Sequence, residues 1–398
     1  MNNFTKQQLN VLVIPSGLFD PSGKGKSGLF EFQQAVAMAA MGINAVICAG
    51  AVIPWTPTYS KLDFKSLEMM EGVAVYRDYR HSLIPPRYLL KFGLTDLKAI
   101  YDSLWARYVS DHGLPNVIHA HNSLWAGSGA RYLANRFDVP YVVTEHDSSH
   151  GRGYLNPFNR TKSALNLKDA QAVISVSASQ ASFVNETARQ KLKRHIVIPN
   201  MVQSELWHYE HSEKLKKPGE FKGLVTIGEL NQNKNHKLII RAFRRIADDF
   251  PRLNLTIIGD GSEKKALVKM VNELKLKERI TFTGELGRDE LLKMMPQFDV
   301  YVHGSRFETF GVALIEALAF GIPAVSTNCG GPADIITQKN GLLCDIDDID
   351  QMEDSLRQVL SGAVTFSNAL IREDTRQRFG HEAVMSKLVD IYERVIHR

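Results

Sequence analysis

Cysteine is scarce in this sequence, which has 398 residues and three cysteines, at positions 48, 329 and 344. Three cysteines in apolar or turn contexts cannot form a disulfide framework, so we expect a reducing, cytoplasmic compartment. The first ten residues are polar and lack a signal-peptide pattern. Residues 35–55 resemble a membrane span in hydrophobicity, but glycines and an asparagine interrupt them. No transmembrane helix is therefore expected.

The sequence also has only a small excess of positive over negative side chains. Lysine and arginine number 48 against 43 acidic residues, which gives a net charge of +5 and a pI near 8.9. This mild excess favours an anionic partner such as a nucleotide, a lipid surface or a phospholipid-linked acceptor, and we expect no nucleic acid. Peripheral contact with the inner face of the membrane is left open.

What the sequence does contain is a regular alternation of strand-length apolar runs and helical patterns. In the first half, helices are predicted at Leu29–Met41 and Trp125–Phe137, between strands at Asn10–Pro15, Ala45–Ala49, Val73–Tyr76, Val117–Ala120, Tyr141–Thr144 and Ala172–Val176. This order is typical of a parallel sheet covered by helices on both faces. The predicted fold class is therefore α/β.

The same alternation starts again after a polar, charged segment, residues 199–222, which we interpret as a linker. The predicted strands of the second half are Gly223–Ile227, Leu253–Ile258, Ile280–Thr283, Val300–His303 and Pro323–Ser326. Helices are predicted at Lys237–Asp249, Ser262–Leu274, Asp289–Met295 and Gly311–Ala319, with a long last helix at about Phe366–Ile396. Two Rossmann-like domains facing a central cleft are expected, because ligands bind at the carboxyl ends of such strands.

Glu308 and Glu316 are the most informative residues. On one helix, eight residues would separate them by ~12 Å and turn them by roughly 80° about the axis. This exceeds the ~5–9 Å between the two acids of a glycosidase, so a catalytic pair is disfavoured. Between them lie the amides of Phe310, Gly311 and Val312, where a helix begins and can hold a phosphate. The segment therefore indicates a nucleotide sugar, with a carboxylate for its hydroxyls.

These residues belong to the stretch ETFGVALIEALAFGIPAVSTNCGGP, residues 308–332, which resembles the donor-site signature of the retaining glycosyltransferases of family 4, with the GT-B fold. The resemblance covers nearly the whole chain. Other segments similar to family motifs are Thr226–Asn235, Leu255–Gly261, Ile280–Gly284, Val197–Asn200, His119–His121 and Thr144–His146. The first-domain motifs are less specific than the donor motif.

The resemblance implies roles for the second half of the chain. Lys234 and the amides of residues 310–312 would bind the donor diphosphate, Glu316 the ribose hydroxyls and Glu308 the transferred sugar. A cation and a helix N-terminus stabilise a departing diphosphate without a metal, so no metal and no other cofactor is expected.

In the first half, the resemblance makes His146 a catalytic candidate, and Gly28 would let the backbone approach the donor phosphates. His121 and Asn122 are the acceptor-side candidates. By the same resemblance, residues 1–198 would bind the acceptor and 223–375 the nucleotide sugar. Residues 376–398 would form a C-terminal helix, and its return to the first domain is left open.

One departure from the family pattern is Glu229, which stands where an arginine is usual, five residues before Lys234. A carboxylate near a diphosphate repels it, so we predict that Glu229 points away. Another cation could replace the arginine, and the candidates are Arg306, Lys24 and Lys26.

Several alternatives are weaker. A phosphate-binding P-loop at Gly25–Ser27 fails because its first glycine would be Asp20. The histidines near residues 119–150 suggest a metal site, but a hydrogen-bonded histidine pair is favoured. The D-x-D pattern at Asp345–Asp350 is better explained by a capping box of Asp350 with Glu353. The aromatic and basic residues at 85–92 and 94–108 favour core packing over a membrane surface.

The sequence therefore predicts a retaining GT-B glycosyltransferase. It would move a hexose-type sugar from a nucleotide diphosphate sugar, such as a UDP- or GDP-sugar, to a glycan or lipid-linked acceptor in polysaccharide or glycoconjugate biosynthesis. A nucleotide-sugar epimerase and a non-catalytic nucleotide-sugar-binding protein are the alternatives.

Overall fold

The structure is a computed structural model that describes residues 9–20, 28–54, 65–82, 94–192, 194–209 and 220–397. The chain divides into two compact units. The first unit contains Met1–Val176, Gln180–Ile198 and Met385–Arg398, and the second contains Ser177–Ser179 and Pro199–Val384. No helix of the described residues is long and apolar enough to cross a membrane.

The first unit is built on a sheet in which eight strands lie among the described residues. They are β1 (Asn10–Ile14), β2 (Asn44–Pro54), β3 (Lys65–Met70), β4 (Val73–Ser82), β5 (Val117–His121), β6 (Tyr141–Glu145), β7 (Ala172–Ser175) and β8 (His195–Val197). Their order in the sheet is β3-β4-β2-β1-β5-β6-β7-β8. All neighbours are parallel except β3 and β4. The central strands are buried because both faces of a parallel sheet are covered.

The helices of the first unit supply the rest of its core. Their bounds are Leu29–Ala40, Leu94–His112, Trp125–Phe137, Pro157–Asp169 and Ala178–Ala188, with His381–Ile396 entering the unit at Met385. The helix Leu94–His112 buries Leu97, Ile100, Leu104 and Tyr108 in that core. Core packing is therefore confirmed for residues 97–108, while residues 85–92 lie outside the described part of the chain.

The second unit is a smaller parallel sheet, with six strands among the described residues. They are β9 (Gly223–Ile227), β10 (Asn254–Ile258), β11 (Ile280–Gly284), β12 (Val300–His303), β13 (Ala324–Thr327) and β14 (Gly341–Cys344), in the order β11-β10-β9-β12-β13-β14. The α-helices are His236–Ile246, Lys264–Glu273, Arg288–Met294, Val312–Ala319, Pro332–Ile335, Ile349–Leu360 and Asn368–Phe379. Short 3-10 helices lie at Ser204–His208 and Met295–Gln297. The predicted α/β class with two parallel-sheet domains is confirmed.

The prediction of one long helix over Phe366–Ile396 is wrong. The structure has two helices, Asn368–Phe379 and His381–Ile396, separated by Gly380 in an extended conformation with φ −63° and ψ 149°. The Phe379 carbonyl accepts a hydrogen bond of 2.7 Å from the Val202 amide, so it is unavailable to the amides of a continuing helix. A Cβ at Gly380 would lie 2.4 Å from the Arg376 carbonyl oxygen, which explains why glycine occupies this break.

The proposed linker also contains structure. Residues 204–208 form the short 3-10 helix, and Leu206 is fully buried within the second unit. Residues 210–219, which carry most of the predicted linker's charge, lie outside the described residues. The linker over 199–222 therefore stays a prediction, and its described part contains the buried side chain of Leu206.

A buried polar network fixes the loop that follows β6. One carboxylate oxygen of Glu145 accepts bonds from the Ser123 amide (2.8 Å) and hydroxyl (2.6 Å), and His150 Nε2 lies 3.0 Å away. Its other oxygen accepts from the Asp147 amide at 2.9 Å. Burial alone would raise the pKa of Glu145, but the His150 charge and these hydrogen bonds outweigh it and lower the pKa to about 2. The loop carrying His146 is thereby held at both ends.

We predict that Glu145→Gln destabilises the protein by about 1–3 kcal/mol, because an amide nitrogen cannot accept the buried hydrogen bonds that one carboxylate oxygen receives from Ser123 and His150. Calorimetry would detect this as a fall in the melting temperature of the first unit. Asp248→Asn removes an exposed pair with Arg244 in the second unit and should change stability little, which makes it the control for loss of an exposed ion pair. Equal stability of the Glu145 variant and the wild type would contradict the prediction.

The same pair predicts a defined pH dependence. The pKa of Glu145 is lowered from 4.5 to about 2, so its contribution is present above 4.5 and is lost as the pH falls towards 2. The charge of Glu145 and its hydrogen bond outweigh burial and raise the pKa of His150 above 6.5. The stabilisation from His150 is therefore complete below pH 6.5 and is lost as the pH rises through the raised pKa. The stability difference between the wild type and a Glu145→Gln/His150→Gln double variant should therefore be largest between pH 4.5 and 6.5.

Candidate active site

The loop after β9 is held by close backbone contact with the loop after β10. The Leu230 amide donates to the Asp260 carbonyl at 2.9 Å, and the Gly228 amide donates to Ile258 at 3.0 Å. A Cβ at Gly259 would lie 2.0 Å from the Gly228 carbonyl oxygen, so only glycine permits this approach. The loop then ends at the helix His236–Ile246 and places Lys234 just before it.

Lys234 and Glu308 form an ion pair within the second unit. The same Glu308 oxygen accepts from the Ser305 hydroxyl at 3.1 Å and lies 3.6 Å from His303 Nε2. Burial would raise the pKa of Glu308, but Lys234, His303 and the Ser305 hydroxyl together lower it. Burial lowers the pKa of His303 to about 4, so this imidazole is neutral near pH 7. The structure thus brings together Lys234 and Glu308, two residues that the sequence predicted for the site.

The helix Val312–Ala319 begins next to this pair. Its N-cap is Gly311, whose φ of 119° belongs to the left-handed region, and no side chain caps the helix. A Cβ at Gly331 would lie 2.3 Å from the Phe310 carbonyl oxygen, so the loop after β13 packs closely on Phe310. Among the described residues, no acceptor binds the amides of residues 310–312. The predicted binding of a phosphate by these donors stays a prediction.

Glu316, inside that helix, meets an arginine that the sequence analysis missed. Arg288 donates to Glu316 at 2.7 Å and to Glu205 at 2.9 Å. Burial raises the pKa of Glu316, and Arg288 offsets this only in part. A signal was available in the sequence: Arg288 begins the helix Arg288–Met294, where a cation is disfavoured by the helix dipole.

The surroundings of Glu229 bear on its departure from the family pattern. Glu229 is exposed, and whether its side chain points out of the phosphate site stays a prediction. Arg306 does not replace the missing arginine, because Asp347 holds its Nε at 2.9–3.0 Å and the Gln232 carbonyl holds Nη1 at 2.9 Å. Lys24 and Lys26 lie outside the described residues.

The predicted capping box of Asp350 with Glu353 is wrong. The helix begins at Ile349, and the Asp348 side chain caps it by accepting from the Gln351 amide at 2.9 Å. Asp350 and Glu353 instead both bind Arg245, at 2.5 and 3.0 Å. Because Asp350 lies inside the first turn, its side chain projects sideways to a neighbouring helix.

In the first unit, the histidines lie at the carboxyl ends of β5 and β6. His121 Nδ1 is 3.1 Å from His146 Nε2, and the Asn122 side chain accepts from the His146 amide at 3.1 Å. Asn122 adopts a φ of 70° where the chain leaves β5. Burial lowers the pKa of His121 well below its ordinary value, so the ring is neutral. The structure therefore brings His121, Asn122 and His146 together.

Glu31 joins this histidine pair and was missed in the sequence. It offers a carboxylate oxygen within 4.8 Å of one nitrogen from each ring, a spacing that could hold a metal ion. The Ser16 hydroxyl donates to Glu31 at 2.6 Å, and the two histidine rings contact each other. The rings of His119 and His121 also lie 4.3 Å apart between centroids, but His119 bonds Thr144 and Tyr392 instead.

Gly28 begins the helix that carries Glu31. It has a φ of 90° and serves as the N-cap of Leu29–Ala40, as expected for a glycine opening that helix. A Cβ there would lie 2.5 Å from the Phe19 ring. Residues 21–27 of the same loop lie outside the described residues, so the approach of this loop to phosphates stays a prediction.

Comparisons with known proteins agree with this arrangement. Residues 32–206 match the model for Glycosyltransferase Family 4, and residues 209–383 match that for Glycosyl transferases group 1. The glycogen synthase of Mycobacterium tuberculosis is 29% identical over 253 residues, which are 62% of this chain and 60% of that protein. The N-acetyl-alpha-D-glucosaminyl L-malate synthase of Bacillus anthracis is 26% identical over 56% of this chain and 60% of that protein. The chain thus spans about 60% of the length of these curated relatives.

Solved structures share the fold at low sequence identity. Sucrose-phosphate synthase from Thermosynechococcus elongatus has a TM-score of 0.76 and 18% identity, covering 98% of this chain and 99% of that one. Anabaena HepE in complex with UDP-glucose has a TM-score of 0.71 and 16% identity, covering 97% of this chain and all of that one (100%). The chain is therefore a glycosyltransferase with the GT-B fold and belongs to the family 4, group 1 type.

Proposed function

We propose that this enzyme is a retaining glycosyltransferase that moves a hexose-type sugar from a UDP- or GDP-sugar to a glycan or lipid-linked acceptor. The observation that carries the proposal is the ion pair of Lys234 with Glu308, three residues before Gly311, the N-cap of a helix that no side chain caps. A related fold, Anabaena HepE, has been solved with UDP-glucose, which supports a nucleotide-sugar donor. Polysaccharide or glycoconjugate biosynthesis is the setting we infer.

The donor diphosphate would compete with Glu308 for Lys234. In the structure Lys234 pairs with Glu308, and its side chain stays 27% exposed. A diphosphate carries more negative charge than one carboxylate and also accepts from the amides of residues 310–312, so it would displace Glu308. Glu308 would then be free to accept from hydroxyls of the transferred sugar.

Catalysis would depend on stabilising the departing diphosphate. Breaking the anomeric bond places negative charge on the phosphate, and in this proposal Lys234 and the helix N-terminus stabilise that charge. These groups supply the charge compensation that a metal ion supplies elsewhere, so we propose that no metal is needed. The departing phosphate would take the proton of the acceptor hydroxyl on the same face, which retains the anomeric configuration.

Ribose recognition is assigned to Glu316. Its carboxylate is 16% exposed and shares Arg288 with Glu205, so Arg288 fixes its position without neutralising both acids. A carboxylate with free lone pairs can accept from two adjacent hydroxyls. In the first unit, the neutral ring of His121 would bind uncharged hydroxyls near His146, the residue we propose contacts the sugar.

The transfer itself can be tested with a panel of radiolabelled UDP- and GDP-sugars and glycan or lipid-linked acceptors. We expect a glycoside whose anomeric configuration, read by NMR, equals that of the donor, with a rate unchanged by EDTA. An altered sugar nucleotide formed without acceptor would identify an epimerase. Binding without turnover across the panel would identify a nucleotide-sugar-binding protein, and either result would contradict the proposal.

The donor site can be tested by binding. Lys234→Ala should weaken UDP or GDP binding roughly 10- to 100-fold, because a hydrogen bond to a charged group contributes about 1.5–3 kcal/mol. Lys265→Ala, on an exposed helical position of the same unit, is the charge-matched control. Glu229→Ala should leave nucleotide affinity unchanged, and a large gain would show that Glu229 faces the phosphates. Isothermal titration calorimetry measures all three.

A further inference from the structure

A segment of the first unit carries positive charge without matching acids. Residues 151–169 contain four basic side chains (Arg152, Arg160, Lys162 and Lys168) and one acid, Asp169. That acid pairs with Arg131 from the neighbouring helix, Nε to Oδ2, at 2.5 Å. Among the described residues, no carboxylate forms an ion pair with the four basic groups. The local field is therefore positive, although the whole chain is only mildly basic.

The same segment exposes large apolar side chains. Tyr154 is 64% exposed, and Phe158 and Leu165 are each 39% exposed. Arg152 lies over the Tyr154 ring at 4.6 Å, and Lys162 lies over the Phe158 ring at 5.6 Å. Apolar surface exposed in one place, with cations against it, marks an interaction site more often than chance.

The helix Pro157–Asp169 explains how part of this set shares one face, while Arg152 and Tyr154 precede the helix in the sequence. Its buried residues are Ser163, Asn166 and Leu167, which face the core of the unit. At 100° per residue, Phe158, Leu165 and Lys168 fall on the opposite face. The outward face is therefore apolar and basic at once, while the polar Asn166 is turned inward to bind the Ser123 carbonyl at 2.8 Å.

We propose that Arg152, Tyr154, Phe158, Lys162, Leu165 and Lys168, called here the basic–aromatic surface, bind an anionic lipid bilayer. Lysine and arginine attract anionic headgroups, aromatic rings settle at the headgroup level, and Leu165 can enter the acyl boundary. A single-stranded nucleic acid would use the rings but has no use for an exposed Leu165 two turns along the same helix face from Phe158. Charge complementarity therefore favours the membrane as the occupant.

The surface would bring the acceptor side to the membrane. It begins six residues after His146 in the sequence, and the intervening loop is fixed by Glu145 and His150. A lipid-linked acceptor would thus meet the first unit close to its proposed sugar-binding histidines. This last step rests on the proposed function, whereas bilayer binding needs neither donor nor acceptor.

Vesicle sedimentation with the full chain tests the proposal without any transfer assay. We expect binding to phosphatidylglycerol-containing vesicles, weakened by salt, and little binding to pure phosphatidylcholine. Arg152→Gln/Lys162→Gln/Lys168→Gln should weaken it about 100-fold, at roughly fivefold per charge. Tyr154→Ser/Phe158→Ser should weaken it at least tenfold through lost apolar burial.

The control removes the same charge elsewhere. Lys265→Gln/Lys277→Gln/Lys293→Gln changes three exposed lysines of the second unit and should bind vesicles within twofold of the wild type. Circular dichroism checks that each variant is folded. Equal losses in the control, wild-type binding by the Tyr154/Phe158 variant, or binding to poly(U) with none to vesicles would each overturn the proposal.

Discussion

The ion pair between Lys234 and Glu308 depends on the order of the second sheet. Strands β9 and β12 are hydrogen-bonded neighbours, so the loops that follow them leave the sheet side by side at its carboxyl edge. Lys234 comes from the first loop and Glu308 from the second. The Asn233 side chain also donates to the Phe307 carbonyl at 2.9 Å, and the Arg306 amide donates to Asn233 at 2.8 Å. The strand order of this parallel sheet therefore brings two segments that are distant in the sequence together at one charged site.

A buried carboxylate paired with a cation occurs at three places, and the direction of its pKa shift differs among them. Glu145 and Glu308 have lowered pKa values because each receives a cation and several hydrogen bonds. Glu316 has a raised pKa because burial dominates and its arginine is shared with Glu205. Both acids would accept from sugar hydroxyls in the proposed function, so the difference reflects their cations: Lys234 pairs with Glu308, whereas Arg288 is divided between Glu316 and Glu205.

Much of this arrangement could be predicted from the sequence, and the rest could not for physical reasons. Apolar runs located the central strands, because a strand buried on both faces leaves a strong local signal. The short or edge strands β3, β8 and β14 were missed, since β3 exposes Leu67 and Met69 and its pattern is weak. The glycine-bounded helix containing Glu316 was predicted, but its start was placed one residue early, at Gly311.

Partners that come from other elements were the harder part. Arg288 and Glu31 lie on helices of their own. No residue close to either one in the sequence indicates which carboxylate or imidazole it contacts. Only the packing of those helices on the sheets brings them together. The break at Gly380 was missed for a similar reason, because the group that ends the helix, the Val202 amide, is 178 positions away from Gly380 (380 − 202).

The candidate sites of the two units differ in whether the groups that would meet a ligand are charged. Burial lowers the pKa of His119 and His121 well below the ordinary value, so the first unit presents neutral rings, with His119 held between Thr144 at 2.7 Å and Tyr392 at 2.6 Å. Neutral groups bind uncharged hydroxyls without the desolvation penalty of an ion. The second unit instead keeps a lysine and free amides where an anion can replace a carboxylate. The second unit therefore keeps a cation where the leaving group would develop negative charge, whereas the first unit pairs its buried Glu145 with His150 and leaves the rings of His119 and His121 neutral.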